Sequence, residues 1–255
     1  MIQALYSAAG AMKSQQTNLD IIANNVSNVS TDGFKASRVD FKDAIYAAML
    51  SPVNNDPDQN HQLGHGVHVA QATRVFTQGA LTDSDSMLDF AIEGEGFFAI
   101  QTATGETRYT RDGHFNVSVE AGGNFLVAAD GSYVLGTDGN RISLPALLSE
   151  LAVSPDGRIS VGETATGAQI AVYRFLNNEG LLAVGDGRYA PSENSGDAAL
   201  AQGGYTIRQA AVESSNVNLA EEFSRLIKMQ RAYQLASRAL TTSDEMEGTA
   251  NNIRG

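Results

Sequence analysis

Near the N-terminus Ile2, Leu5, Ala9, Met12, Gln16, Leu19, Ala23 and Val26 follow one another at alternating intervals of three and four residues. Near the C-terminus Leu219, Phe223, Leu226, Gln230, Tyr233, Ser237 and Leu240 do the same. That alternation is the seam period of helices packed side by side. A stripe of this kind is satisfied only against another, so the two ends read as partners that the chain must bring together. Gln16, Gln230 and Ser237 are the polar members. Asn218, with Glu221 three residues on, forms a capping-box pattern that starts the second helix. Ala4, Ala8, Gly10 and Ala11 leave room for close approach of a neighbour, although Gly10 costs an isolated helix about 1 kcal/mol.

Between the ends the punctuation changes. Asp-Gly pairs at 112–113, 130–131, 138–139, 156–157 and 186–187 separate short segments such as "FFAIQT", "SYVLG" and "QIAVYRF", the pattern of strands joined by tight turns. Residues 51–66 are polar, with two prolines and two glycines, and read as a loop, as do 191–204. The expected fold class is α+β: N- and C-terminal α-helices pairing as a coiled coil and flanking a mainly antiparallel β domain. The boundaries expected are a helix over 1–30, an extended or β linking segment over 31–85, the β domain over 86–199, a return segment over 200–215 and a helix over 216–255.

Seventeen basic residues against 29 acidic ones argue against a nucleic-acid partner, because phosphate binding needs a positive surface. The chain has no cysteine, so disulfides and thiolate metal sites are excluded. No cleavable secretory leader and no apolar run long enough to span a bilayer are read, so direct membrane insertion is not expected.

Candidate chemistry is sparse. His61, His65 and His68 lie close together, but no cysteine or carboxylate completes a metal-ligand spacing. In "EGEGFF" Ala99 stands where a dinucleotide loop needs its third glycine, and a β segment follows instead of a helix. The acid pairs Asp83/Asp85 and Glu93/Glu95 match general acid–base chemistry only if a pocket gathers them. Arg225, Lys228, Arg231 and Arg238 give the last helix a basic face, either solvated or an interface. Asn24, Asn25 and Asn28 end the first helix just before the Asp32-Gly33 turn. They read either as a helix terminus, since asparagine tolerates the left-handed region, or as amides that fix the register of buried helices.

Several motifs in order carry a resemblance. "LDIIANNVSNVSTDGFK" at 19–35 resembles the N-terminal signature of bacterial flagellar rod, hook and hook-associated axial proteins, and "SSNVNLAEEF" with "QRAYQLASRAL" at 214–240 resembles their C-terminal signature. "GHGVHV", "FTQGAL", "LDFAIEGEGFF" and "YTRDGHF" are similar to the rod and hook subgroup; residues 137–204 match no motif. Length and the polar segment 46–66 resemble the distal-rod branch, with the proximal-rod branch as the alternative.

The resemblance implies a structural, non-enzymatic subunit of the flagellar basal body, without cofactor or metal. Its partners would be further copies of itself in a helical polymer, other rod and hook proteins, and the flagellar type III export apparatus; no nucleic acid is implied. A head-to-tail contact that does not close builds such a tube. The first helix, roughly 40 Å long, would be marginal alone and would gain from packing against neighbours. The residues expected at the assembly interface are Leu5, Met12, Gln16, Leu19, Asn24, Asn25, Asn28, Gly33, Phe34, Asn216, Asn218, Phe223, Leu226, Gln230, Arg231, Tyr233 and Leu240. Two rival classes are an extracellular β-domain enzyme, which needs acids or histidines to converge in a cleft, and a coiled-coil adhesin forming closed parallel oligomers.

Overall fold

The computed structural model describes residues 2–44, 47–48, 62–120, 123–145, 151–162 and 164–254. The polar segment read as a loop falls largely outside these residues, as does His61. The chain divides into a helical unit, Met1–Ser27, Ser37–Arg74 and Asn218–Gly255, and a β unit, Asn28–Ala36 and Val75–Val217.

In the helical unit, α1 (Ile2–Ser27) packs against α2 (Leu219–Arg254), a helix of 36 residues. At 1.5 Å per residue α2 is roughly 54 Å long. Asn218 caps it: its Oδ1 accepts from the amides of Ala220 at 3.1 Å and Glu221 at 3.4 Å. The reciprocal half of the expected capping box differs, because the Glu221 carboxylate is taken by Arg225 at 2.6 Å. Strands Ser37–Asp43 and Val67–Arg74 pair antiparallel, with a register shift between Asp40 and Phe41.

The burial of both helices is offset from their 3–4 stripes. On α1 the low-exposure line runs through Ala8, Ala11, Gln15, Asn18, Ile22 and Asn25, one residue before Ala9, Met12, Gln16, Leu19, Ala23 and Val26. One residue is about a quarter-turn of helix. Leu5, Met12 and Leu19 are therefore half-buried while Ala9, Gln16 and Ala23 are exposed. On α2 the corresponding line is Glu222, Leu226, Met229, Tyr233, Ala236 and Leu240, and Leu219, Phe223 and Gln230 stand outside it. Polar anchors set this rotation. Asn25, 1 % exposed, brackets Ser37, donating to its carbonyl at 2.8 Å and accepting from its amide at 2.9 Å. Ser14 donates to the Val67 carbonyl at 3.3 Å, and Asn18 to the Met229 sulfur at 3.0 Å.

The β unit is built around an antiparallel sheet in which Phe97–Gln101 pairs with Thr107–Thr110, Tyr133–Val134 and Val172–Arg174. Phe90, Phe98, Phe115, Leu126 and Ile170 fill one core. Phe97, Tyr109, Phe175 and Tyr189 fill a second, their rings meeting edge to face at 4.9 to 5.8 Å. Burying one such ring contributes about 2–3 kcal/mol, so the strands are held chiefly by these two clusters. Asp186 and Gly187, both at positive φ, make the tight turn that returns Leu182–Gly185 to Arg188–Ala190.

Candidate functional site

The residues that matter most for a structural role lie in the β unit beside the places where the chain crosses from one unit to the other. The segment entering at 33–36 and the segment leaving at 213–217 run side by side. The Gly33 amide donates to the Glu213 carbonyl at 2.6 Å, and the Asn216 amide to the Phe34 carbonyl at 3.4 Å. The Asn216 side chain then ties the leaving segment to two others: its Oδ1 accepts from the Ala36 amide at 2.7 Å, and its Nδ2 donates to the carbonyls of Val75 at 2.8 Å and Thr77 at 3.0 Å. An asparagine suits this position because one amide offers a donor and an acceptor in the spacing of a peptide bond.

Beneath this backbone junction lies a buried charge cluster. The Glu213 carboxylate, 1 % exposed, sits between the Lys35 ammonium at 2.5 Å and the Arg111 guanidinium at 3.0 Å, their side chains 1 % and 5 % exposed. Lys35 also donates to the Thr77 carbonyl at 2.8 Å, the Gly79 amide to Glu213 Oε1 at 2.8 Å, and Arg111 to the Gly94 carbonyl at 2.8 Å. The Arg111 guanidinium lies over the Phe97 ring at 5.5 Å. Burial pushes the Lys35 ammonium and the Arg111 guanidinium below their ordinary values, and the charge of Glu213 opposes both shifts. With partners on every side, the carboxylate fastens separate chain segments together; a substrate has no open approach to it.

Two glycines let backbones approach closely, Gly33 against the segment at 111–112 and Gly113 against Phe90 of the adjoining core. Gly33 has φ +68°, and a Cβ there would lie 2.5 Å from the Asp112 nitrogen; at Gly113 a Cβ would lie 1.6 Å from the Phe90 carbonyl oxygen. Asp112 is half-buried, and burial raises its carboxyl pKa above 3.8, against the His114 amide bond that lowers it.

Of the residues expected at an interface, Gly33, Phe34 and Asn216 gather at this junction, and Phe34 is 7 % exposed. Asn28 closes the turn after α1, accepting from the Thr31 amide at 3.2 Å. Asn25 fixes α1 to Ser37, and Asn24 is exposed. Arg231 and Gln230 are exposed on α2, while Leu226, Tyr233 and Leu240 are half-buried. The rival acids are not gathered: Asp83, Asp85, Glu93 and Glu95 are all exposed, and Asp83 pairs with Arg208 at 3.0 Å. His65 and His68 are exposed, and no cluster able to hold a metal occurs among the described residues.

Lys35, Arg111 and Glu213 were not among the expected site residues. Each lies within or beside a quoted motif, "DGFK", "YTRDGHF" and "SSNVN", and a charged residue embedded in such a segment was the available signal.

Comparison with known proteins gives a consistent result. The signature described as "Flagella basal body rod protein" matches residues 5–35, "Flagellar hook protein FlgE/F/G D1 domain" matches 91–161, and "Flagellar basal body rod FlgEFG protein C-terminal" matches 208–253. The chain is 37 % identical over 275 positions to the flagellar basal-body rod protein FlgG of Borreliella burgdorferi, covering 100 % of this chain and 99 % of that one. It is 36 % identical over 267 positions to FlgG of Bacillus subtilis, covering 100 % of both. To FlgF of Caulobacter vibrioides it is 31 % identical over 250 positions, covering 98 % and 97 %.

Proposed function

The chain belongs to the flagellar basal-body rod protein family and is a structural subunit of the rod in the bacterial basal body, and from that premise we propose that its copies pack head to tail into a helical tube, the distal rod, which transmits motor torque to the hook. The observation that carries the self-assembly is the outer face of α2. Leu219, Phe223, Ile227 and Leu235 are 39, 49, 51 and 65 % exposed there, a run of large apolar side chains that the single chain leaves in water. Exposed apolar surface arranged along one helix is the mark of an association surface. The α1 stripe through Ala9, Gln16 and Ala23 is uncovered in the same way.

A contact between two such different faces is heterologous, and with a rotation that does not close into a ring it propagates as a helical tube. Higher identity to the FlgG relatives than to the FlgF relative supports the distal over the proximal position. Other rod and hook proteins would continue the tube at its ends. A chain without cysteine suits passage unfolded through the flagellar type III export apparatus, since it cannot crosslink on the way. The role needs no catalysis and no cofactor; rigid fastening of the kind seen around Glu213 serves it.

Negative-stain microscopy of concentrated protein tests the reading: tubes are expected, and Phe223→Asp should abolish them while leaving the monomer's thermal unfolding unchanged. Closed parallel oligomers would favour the adhesin class, and particles that stay monomeric at every concentration would overturn self-assembly.

A further inference from the structure

A groove of about 330 Å³ runs along the helical unit, with Ile22, Val39 and Met229 as its apolar walls. Glu222 lines it. This residue is only 4 % exposed; its Oε1 accepts from Arg225 at 3.3 Å, whereas its Oε2 is buried without a hydrogen-bond partner among the described residues. Leaving one oxygen of a buried carboxylate unsatisfied is costly, and it marks a place where a donor is missing. Arg38 and Arg225 also line the groove, but both are already engaged: Arg225 is shared between Glu221 and Glu222, and Arg38 faces Asp40, so among the described residues these two guanidinium groups meet three carboxylates.

The missing cation is abundant elsewhere on the same helix. Lys228, Arg231 and Arg238 are exposed, in a chain whose net charge is −12. The positions three and four residues to either side of Arg231 are Ile227, Lys228, Gln234 and Leu235, so no acid of its own helix can pair with it. Next to Arg231 stands Ile227, 51 % exposed, and before that Phe223. This outer face thus carries apolar side chains followed by a guanidinium, which matches a groove with apolar walls and an under-satisfied carboxylate.

We propose that the groove beside Glu222 is the docking site for the outer face of α2 from a second copy, Arg231 of that copy donating to Glu222 and its Ile227 entering between Val39 and Met229. The inference rests on the self-assembly reading and gives it a direction. Glu222 and Phe223 are neighbours in sequence on different sides of α2, so each copy offers one face and receives the other, and the contact is head to tail. A guanidinium is the suitable donor, because its fork can satisfy a carboxylate oxygen while its plane lies against apolar neighbours.

The absence of cysteine allows a direct test on the full chain. Val39→Cys protein is mixed with Ile227→Cys protein under assembly conditions and oxidised. Disulfide-linked mixed dimers are expected, with few dimers of either variant alone. A double-mutant cycle supplies the second measurement. Glu222→Gln and Arg231→Gln should each raise the concentration required for assembly at least about tenfold, as loss of a buried interfacial charge pair does, and the double variant should cost little more than either. Additive effects, or tubes that form without the mixed crosslink, would overturn this docking geometry and leave self-assembly standing. Failure of the wild-type chain to assemble would overturn both.

Discussion

Replacing Glu213 by glutamine should be among the most damaging single changes to the β unit, because that carboxylate neutralises two buried cations at once. Lys35 at 2.5 Å and Arg111 at 3.0 Å would both remain buried, and glutamine offers neither a negative charge. Removing one partner of a buried pair costs about 3–5 kcal/mol, and a residue serving two partners belongs at the upper end. Against a total stability of about 5–15 kcal/mol, that removes a third or more of it. For a unit of this size the melting temperature should fall by roughly 10–20 °C. Lys35→Met sets the comparison. It leaves Glu213 paired with Arg111 and the Gly79 amide, and the Thr77 carbonyl keeps its bond from Asn216, so only the Lys35 bonds are lost and about 1–3 kcal/mol is expected. The chain has no tryptophan, five of its eight tyrosines lie in the β unit, and Tyr109, Tyr173 and Tyr189 share one aromatic cluster, so near-ultraviolet circular dichroism reports mainly the β unit. A Glu213→Gln melting temperature within about 5 °C of wild type would refute the clamp, as would Lys35→Met proving the more harmful.

Two further outcomes follow from the same junction. Gly33→Ala should cost about 3 kcal/mol, combining a left-handed backbone with a methyl group forced against Asp112, whereas Gly131→Ala, at φ +84° with nothing within 4 Å, should cost only about 1 kcal/mol; urea titration of the two separates crowding from strain. Because burial holds the Asp112 carboxyl above 3.8, its protonated form is favoured in the folded chain, and its contribution to stability is lost as pH rises from 3.8 through the raised value. The melting temperature of wild type relative to Asp112→Asn should therefore rise as pH falls from neutral towards 4, and a difference independent of pH would contradict the assignment.

The parts of this fold legible in the sequence are those fixed by neighbours along the chain. Helix period, four of the five Asp-Gly turns and the Asn218 cap depend on residues within a few positions, and they stand where the local pattern puts them; Asp112-Gly113 instead links two strands that pair elsewhere. The rotation of α1 was not legible. Its 3–4 stripe is correct as a period, yet which of two adjacent lines turns inward depends on Ser14 meeting Val67 and Asn25 meeting Ser37, contacts that exist only after folding. The Lys35–Glu213–Arg111 cluster was hidden for a stronger reason. Charged residues are almost always exposed, and nothing local marks three of them as buried together. Asn216 was visible only as part of a motif, and its role in joining three chain segments could not be read from its neighbours.

Lys35 and Glu213 stand 178 positions apart. Closing a loop of that length is entropically expensive, and contacts so distant in sequence form late in folding. A chain delivered N-terminus first, from a ribosome or through a pore, carries Lys35 early and must wait for almost all of its length before the carboxylate arrives. Until then the entering segment lacks its partner at 213–217, and the two cations have no neutralising charge that would let them be buried. The junction is thus also a timing device: the arrival of Glu213 is the event that permits the β unit to lock.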